Sequence, residues 1–233
     1  MSGGSCYGET WHLQEWYRHR RSMRRRRETL RVLALVGSAR VGGNTDTIID
    51  EILSQVEHRP GTRVRKYYLH QLDLRPCRGC GHCREHEWCA QEDGMRELYG
   101  EIRSSDAIIL GSPVYMGQVS GQTKIFLDRC YALRGPAGSR VAGADKLGIA
   151  VLVCGARDPE HPRPALRTLR VFFRLCEISR VEELVAQGLG PRHAARERQD
   201  VLFAAREKGR RLAAGIIGIP GRDAEGAPGS DHV

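Results

Sequence analysis

Long apolar runs and aromatic residues are what this 233-residue sequence most clearly lacks. No apolar stretch approaches the roughly 18 residues that a membrane-spanning helix needs, and the chain starts with a polar, arginine-rich segment instead of an apolar signal. Aromatic residues make up only 6%, whereas the hydrophobic share of 40% is ordinary for a globular protein. We therefore expect one cytoplasmic domain that makes no use of a membrane.

The net charge of +9 would normally raise nucleic acid as a partner, but much of it is local. Residues 1–31 hold eight Arg and three Glu, so this segment contributes +5 of the net charge of +9. We expect residues 1–28 to form a flexible basic arm and residues 218–233, rich in Gly and Pro, to form a disordered tail. The region between them, 29–217, is only mildly basic and is not expected to bind nucleic acid.

A buried strand, a glycine-containing loop and an amphipathic helix open the central region, at Leu30–Val36 and 45–56. The same alternation then recurs four times, which predicts an α/β fold with a doubly wound parallel sheet of five strands. The further strands are predicted at 62–69, 107–110, 147–153 and 181–186, and the further helices at 95–103, 122–133, 164–175 and 192–217.

The loop after the first strand, residues 37–45, is a candidate phosphate site. It lacks the Lys-Ser/Thr pair of a Walker A loop and the G-x-G-x-x-G pattern of dinucleotide-binding folds. It does offer polar donors in Ser38, Asn44 and Thr45, a cation in Arg40 and free backbone N–H groups at a helix start. That set suits a terminal phosphate monoester, and the alternative is an ordinary capped turn.

The loop after the third strand, residues 111–121, is a candidate platform for an aromatic ring system. Pro113 restricts a turn, Tyr115 and Met116 supply flat or polarizable apolar surface, and Gly117 permits close backbone approach. Local packing of Tyr115 and Met116 is the alternative.

Four cysteines fall within thirteen residues in the spacing C-x₂-C-x₂-C-x₅-C, whereas the other four are scattered singly. This distribution is unlike a disulfide framework. Three cysteines in seven residues favour one [4Fe–4S] cluster in a loop at 76–90. Structural zinc and unligated thiols are the alternatives. The four predicted ligands are Cys77, Cys80, Cys83 and Cys89.

A second metal motif overlaps this loop, because His82, Glu85 and His86 match the H-x-x-E-H pattern of a family of zinc peptidases. That chemistry requires a helix. Gly79, Gly81 and the interleaved cysteines argue against one, so we do not expect a peptidase.

Taken together, the GSAR and GNT segments of the first loop, the GSPVY and VSG segments of the second, the KIFLDR helix and the cysteine loop resemble one known family. The sequence is similar to the NADPH-dependent FMN reductase superfamily, in particular its iron–sulfur flavoprotein branch, from about Leu30 to Ala213. The resemblance implies a flavodoxin-like sheet with strand order 2-1-3-4-5.

The resemblance also implies where the cofactors bind. FMN phosphate would lie in the first loop and the isoalloxazine on the second, against residues that include Val114. Cys154 and Gly155, after the fourth strand, would flank it. The cysteine loop would hold the cluster, and a homodimer or homotetramer would bring cluster and flavin together across subunits.

These observations predict an FMN-dependent oxidoreductase that passes electrons between a [4Fe–4S] cluster and FMN to a quinone, an oxygen species or a nitroaromatic. A ferredoxin-like protein is the expected electron donor, with NAD(P)H as the other possibility. Two alternatives remain: an NAD(P)H-dependent FMN or quinone reductase with a structural zinc loop, and a redox-sensing protein that binds nucleic acid through its arginine-rich arm.

Overall fold

Six strands form one sheet at the centre of the protein, whose computed structural model describes residues 29–86, 88–134 and 146–215. Five of the strands are parallel: β1 (Leu30–Val36), β2 (Thr62–Tyr68), β3 (Ala107–Tyr115), β5 (Leu147–Val153) and β6 (Arg180–Ala186). They lie side by side in the order β2-β1-β3-β5-β6. The short β4 (Gln118–Val119) pairs antiparallel with the end of β3.

The predicted α/β fold is confirmed, and the parallel strands counted alone follow the order 2-1-3-4-5. The five predicted parallel strands are all present, but the sheet also has a sixth strand that was not predicted, because β3 does not end at Leu110. It continues through Pro113 to Tyr115 and returns as β4. Proline is tolerated there because β1 ends opposite Gly111, so β3 has a free side where no N–H is needed.

Within the described part of the chain, five α-helices cover the sheet: α1 (Asn44–Glu57), α2 (Met95–Ser104), α3 (Gly121–Arg129), α4 (Arg163–Leu175) and α5 (Gln199–Ala214). Two predicted helices differ from the observed ones by more than one residue at an end. The one expected over 122–133 turns into a 3₁₀ segment at Cys130–Arg134, and the one expected from residue 192 starts at Gln199. The intervening residues 191–198 are a loop with a 3₁₀ turn at Ala194–Glu197, held by contacts to α1.

Helices bury both faces of the sheet. Leu33 and Leu35 of β1 pack in the core with α2, α3 and α4, whereas Val32, Ala34 and Val36 pack in a separate core with α1 and α5. A strand covered on both sides has no polar face, which explains the continuous apolar run of β1.

The carboxyl ends of β1 and β3 lie at the point where the strand order reverses, the usual ligand site of open α/β sheets. The predicted arm and tail, and residues 216 and 217 of the predicted domain, fall outside the described residues. Within those described, no helix is long and apolar enough to cross a membrane.

Candidate functional site

The β1–α1 loop curls over the start of α1 through its own hydrogen bonds. Arg40 N–H donates to the Ser38 hydroxyl at 3.1 Å, and Gly43 N–H donates to the Arg40 carbonyl at 2.9 Å. Gly42 has a φ of +68°, a left-handed conformation that glycine adopts without strain, and its N–H donates to Asp46 at 2.6 Å. These hydrogen bonds therefore fix the shape of the loop.

A buried carboxylate lies beneath this loop, where it would repel an anion if it were unpaired. Lys66 on β2 lies 2.5 Å from Asp46, which is 1% exposed, and Tyr68 donates its hydroxyl to Asp46 at 3.0 Å. Burial by itself lowers the pKa of Lys66, but hydrogen bonds to Asp46 and Asp50 more than offset it and raise the pKa. The cation thus stays charged and neutralises the carboxylate.

Asn44 is committed to another part of the fold. Both hydrogens of its amide are used, since Nδ2 donates to the carbonyls of Leu189 at 3.0 Å and Pro191 at 2.7 Å. Its Oδ1 accepts the Ala195 N–H at 3.0 Å. In this geometry the Asn44 side chain already has these partners, so its backbone N–H at the helix start is the group that it offers to a ligand.

The remaining predicted phosphate donors differ in accessibility. Ser38 is 4% and Thr45 2% exposed, so both can act only from the floor of the loop. Arg40 is exposed, and within the described residues its guanidinium makes no hydrogen bond. It is the predicted side chain most available to an anion.

Sequence reasoning missed a second group of basic residues beside this loop. Arg192 donates to the Val41 carbonyl at 3.0 Å, and His193 lies 3.2 Å from the Gly42 carbonyl. Arg196 Nη2 would lie 3.7 Å from a Cβ placed on Gly42. The sequence predicts a helix over these residues. They lie about 150 positions from the loop in the chain, so no local sequence signal links them to it.

A network of buried hydroxyl groups joins the first loop to the second. Ser120 caps α3, donates to the Gly37 carbonyl at 2.6 Å and lies 2.9 Å from the Thr123 hydroxyl. Its N–H donates to Ser112 at 3.0 Å. A Cβ on Gly37 would lie 1.9 Å from Thr123 Oγ1, so only glycine fits there. Sequence reasoning overlooked this network, although the S-x-x-T spacing of Ser120 and Thr123 is a helix-capping pattern that indicates it.

The second loop is a tight β-hairpin. Val114 pairs with Val119 and Tyr115 with Gln118, and both turn residues have positive φ, +50° at Met116 and +73° at Gly117. Positive φ at both positions marks a type I′ turn, for which methionine is an unfavourable residue. Tyr115 is 49% and Met116 99% exposed, so the hairpin presents two apolar side chains beside the first loop.

Cys154 and Gly155, which the resemblance places beside the flavin, differ in their exposure. Cys154 is 3% exposed and its thiol lies 3.5 Å from the Ala156 carbonyl; burial raises the pKa of this thiol. Gly155 is exposed, and a Cβ there would lie 3.3 Å from Gly190 Cα. Only the Gly155 backbone is therefore presented to the outside, and the Cys154 thiol packs as an ordinary buried side chain.

The four clustered cysteines line one cavity of about 300 Å³ between the cysteine loop and the end of α3. Gly79 and Gly81 have φ of +63° and +75°, which lets the loop turn twice around this cavity. Cys77 and Cys80 are exposed, whereas Cys83 and Cys89 are half-buried against the core. Residues 29–86, 88–134 and 146–215 bring no three His, Cys, Asp or Glu side chains close enough to hold a single metal ion.

A buried ion pair fixes the two ends of the cysteine loop. Arg129, at the end of α3, contacts Asp93 through Nη1 at 2.5 Å and Nη2 at 3.0 Å, and both side chains are fully buried. Arg129 also donates to the Arg75 carbonyl at 2.7 Å, while Asp93 accepts N–H groups from Arg75 and Met95. The loop is thereby held against α2 and α3.

The H-x-x-E-H motif does not form a helix. His82–Arg84 is a single 3₁₀ turn, and the rings of His82 and His86 stack on each other with centroids 3.9 Å apart. The expectation that this segment lacks a peptidase helix is confirmed.

The family model of the NADPH-dependent FMN reductases matches residues 30–188, which include both loops, the hairpin and all four clustered cysteines. The chain belongs to this family. Among its relatives are iron–sulfur flavoproteins from Methanosarcina thermophila, 33% identical over 55% of this chain and 65% of that protein, and from Methanocaldococcus jannaschii, 31% identical over 64% and 73%. The branch predicted from the sequence is confirmed. The chain spans about two thirds of the lengths of these relatives.

Solved structures with the same fold include a quinone oxidoreductase and an azoreductase. An NAD(P)H:quinone oxidoreductase from Methanothermobacter marburgensis gives a TM-score of 0.61 at 16% identity, covering 79% of this chain and 99% of that one. An FMN-dependent NADH-azoreductase from Bacillus anthracis, in complex with FMN, gives 0.59 at 14% identity with the same coverage. At these identities the likeness establishes the fold.

Proposed function

We propose that the protein is an FMN-dependent oxidoreductase that moves electrons between a [4Fe–4S] cluster and FMN and delivers them to a small acceptor such as a quinone, an oxygen species or a nitroaromatic. The observation that carries this proposal is the convergence of four cysteines of one loop on one cavity, next to an FMN reductase fold. When bound, FMN exchanges single electrons or pairs, and the cluster exchanges single electrons.

The β1–α1 loop supplies the phosphate end of the proposed FMN site. The backbone N–H groups at the start of α1 point toward a bound anion, as at other helix N-termini. Ser38 and Thr45 offer hydroxyls at the floor, and Arg40 supplies a charge-assisted hydrogen bond from the open side. The Asp46–Lys66 pair keeps the floor near neutral.

The β3–β4 hairpin supplies the platform for the isoalloxazine. Pro113 and Val114 are buried and stiffen its base, whereas Tyr115 and Met116 offer their exposed surfaces to a flat ring. The exposed Gly155 backbone would bound the ring on the side of β5.

The cysteine cavity suits a cluster in its donor chemistry and its size. Four thiolates are the usual ligands of a cubane, and about 300 Å³ is more room than one coordinated ion requires. Arg78 and Arg84, which also line the cavity, would partly balance the negative charge of the liganded cluster.

Helix α3 separates the two proposed cofactor sites within one chain. Its cap, Ser120, belongs to the hairpin, and its last residue, Arg129, lines the cysteine cavity. Nine helical residues span roughly 14 Å. A homodimer or homotetramer in which one subunit's cysteine loop approaches its partner's hairpin would shorten that path, and sedimentation of the holoprotein tests for it.

Cofactor analysis of anaerobically purified protein tests the proposal. We expect flavin and cluster absorption together, with about four irons and four acid-labile sulfides per chain. Stoichiometric zinc without sulfide would replace the cluster with a structural zinc site and leave a plain flavin reductase. Absence of flavin would overturn the oxidoreductase proposal.

Arg40→Ala should weaken FMN binding by about tenfold to a hundredfold, because a hydrogen bond between charged groups contributes about 1.5–3 kcal/mol. Riboflavin lacks the phosphate, so its affinity should stay unchanged. Titration of the apoprotein with both ligands measures the difference, and Arg167→Ala, an exposed arginine on α4, is the control. Equal weakening of FMN and riboflavin would show that Arg40 shapes the loop instead.

Met116→Asn should stabilise the apoprotein by up to about 1 kcal/mol while weakening flavin binding. Asparagine tolerates the left-handed conformation that Met116 adopts, so strain is relieved, but the apolar surface of the platform is lost. Urea unfolding measures stability and flavin titration measures affinity. Loss of stability, or unchanged flavin affinity, would contradict this role of the hairpin.

Reduced ferredoxin should reduce the protein faster than NADPH, because the chain has no dinucleotide fingerprint and the exposed Arg78 and Arg84 lie beside the cluster site. The ferredoxin rate should fall as salt rises. Replacing Arg78 and Arg84 by Glu should slow it, while the control Arg167→Glu should not. Stopped-flow rates with NADPH that exceed those with ferredoxin at every salt concentration would reject a ferredoxin donor.

A further inference from the structure

Arg129 has one hydrogen-bond donor that the ion pair with Asp93 does not use. Its Nη1 and Nη2 atoms contact Asp93 and the Arg75 carbonyl. Its Nε–H is buried, and among the described residues it has no partner. Unpaired buried donors are costly and rare, so this one requires an explanation.

The surroundings of Arg129 point to sulfur as the missing acceptor. Arg129 lines the cysteine cavity and its side chain is fully buried there. Gln91, another polar residue at the cavity, already donates its amide to the Pro76 carbonyl. Cys89 lines the same cavity as Arg129, so a cluster held there brings sulfur atoms to the side of the cavity that Arg129 forms.

We propose that the Arg129 Nε–H donates a hydrogen bond to a sulfur atom of the bound cluster, either a sulfide or the Cys89 thiolate, and so raises the reduction potential of the cluster. This inference rests on the proposed function, because it requires a cluster in the cavity. Reduction adds one electron and one negative charge to the cluster, and no proton moves. A donor aimed at a cluster sulfur stabilises the more negative state more strongly.

The pairing with Asp93 determines which property of Arg129 acts on the cluster. The carboxylate holds the guanidinium by two hydrogen bonds and cancels much of its charge. The group that Arg129 presents to the cavity is therefore the dipole of its Nε–H bond, held in a fixed orientation. Lysine can replace the charge but cannot offer a third donor in the same plane while paired with Asp93.

Redox titration of the anaerobic holoprotein tests the inference, with iron and sulfide measured first. We expect Arg129→Gln to lower the equilibrium constant for one-electron reduction at least tenfold, which is about 59 mV, and Arg129→Lys to lower it nearly as much. The control is Arg170→Gln, which breaks a two-point Arg–Glu pair whose residues do not line the cysteine cavity. An unchanged potential in Arg129→Gln protein that keeps its cluster would overturn the inference.

A second measurement keeps Arg129 intact, so that the test does not depend on an Arg129 variant retaining the cluster. Pulsed electron paramagnetic resonance of the reduced cluster should show coupling to isotopically labelled arginine nitrogen. Arg78 and Arg84, the other arginines at the cavity, are replaced by Lys so that the signal reports Arg129. Lack of coupling in a cluster-containing protein rejects the inference alone, whereas lack of iron and sulfide in the wild type rejects the proposed function as well.

Discussion

Replacing Cys83 by Ala should strip iron and sulfide from the anaerobic protein, from about four of each per chain to almost none, while FMN stays bound. Cys83 lines the cavity and is half-buried against the core, and its loss leaves three of the four predicted thiolate ligands. FMN should remain because its proposed contacts lie at the other end of α3. Iron, sulfide and flavin assays on the same sample measure the separation.

Cys176→Ala is the matched control for this experiment. Cys176 is fully buried at the end of α4 and does not line the cysteine cavity, so its loss should leave the iron content unchanged. Full retention of iron in Cys83→Ala protein would show that Cys83 is not a ligand. Loss of FMN together with iron would show that the variant disturbs the whole fold.

Replacing Asp93 by Asn should lower the free energy of unfolding of the apoprotein by about 3–5 kcal/mol, the cost of leaving one member of a buried ion pair without its partner. Asp93 holds Arg129, and its carboxylate also accepts N–H groups at both ends of the loop. Denaturant unfolding measures the change. The control Asp200→Asn, in an exposed pair with Arg198, should leave stability nearly unchanged.

The same ion pair predicts how stability depends on pH. Burial by itself raises the pKa of Asp93, but Arg129 and the N–H groups of Arg75 and Met95 more than offset it and lower the pKa. A lowered folded pKa means that the stabilisation is present above the unfolded value of about 3.9 and fades as the pH falls through the lower folded value. Wild-type stability should therefore fall more steeply below about pH 4 than that of Asp93→Asn; parallel acid-unfolding curves would contradict this.

Local patterns in the sequence were enough to predict the sheet, the helices on both of its faces and the loops that carry polar or flexible residues. The apolar run of β1, the helical spacing in α1 and the glycines between them each depend on neighbours within a few positions. The grouping of four cysteines in one loop is likewise local, and so their shared cavity was predictable. The continuation of β3 through Pro113 was not, because it depends on where β1 ends.

Only the tertiary structure decided which side chains of the site already have hydrogen-bond partners or are buried in the core. Asn44 reads as a loop donor in the sequence, but its amide binds carbonyls about 145 residues away, and Cys154 turns into the core. The pairing of Asp93 with Arg129 joins residues 36 positions apart, and the spare donor of Arg129 exists only because that pair forms. Sequence by itself determined the fold and the chemical classes of residue at the site, since period and spacing are local. Hydrogen-bond partners and burial arise when distant segments pack, so only the folded chain assigned them.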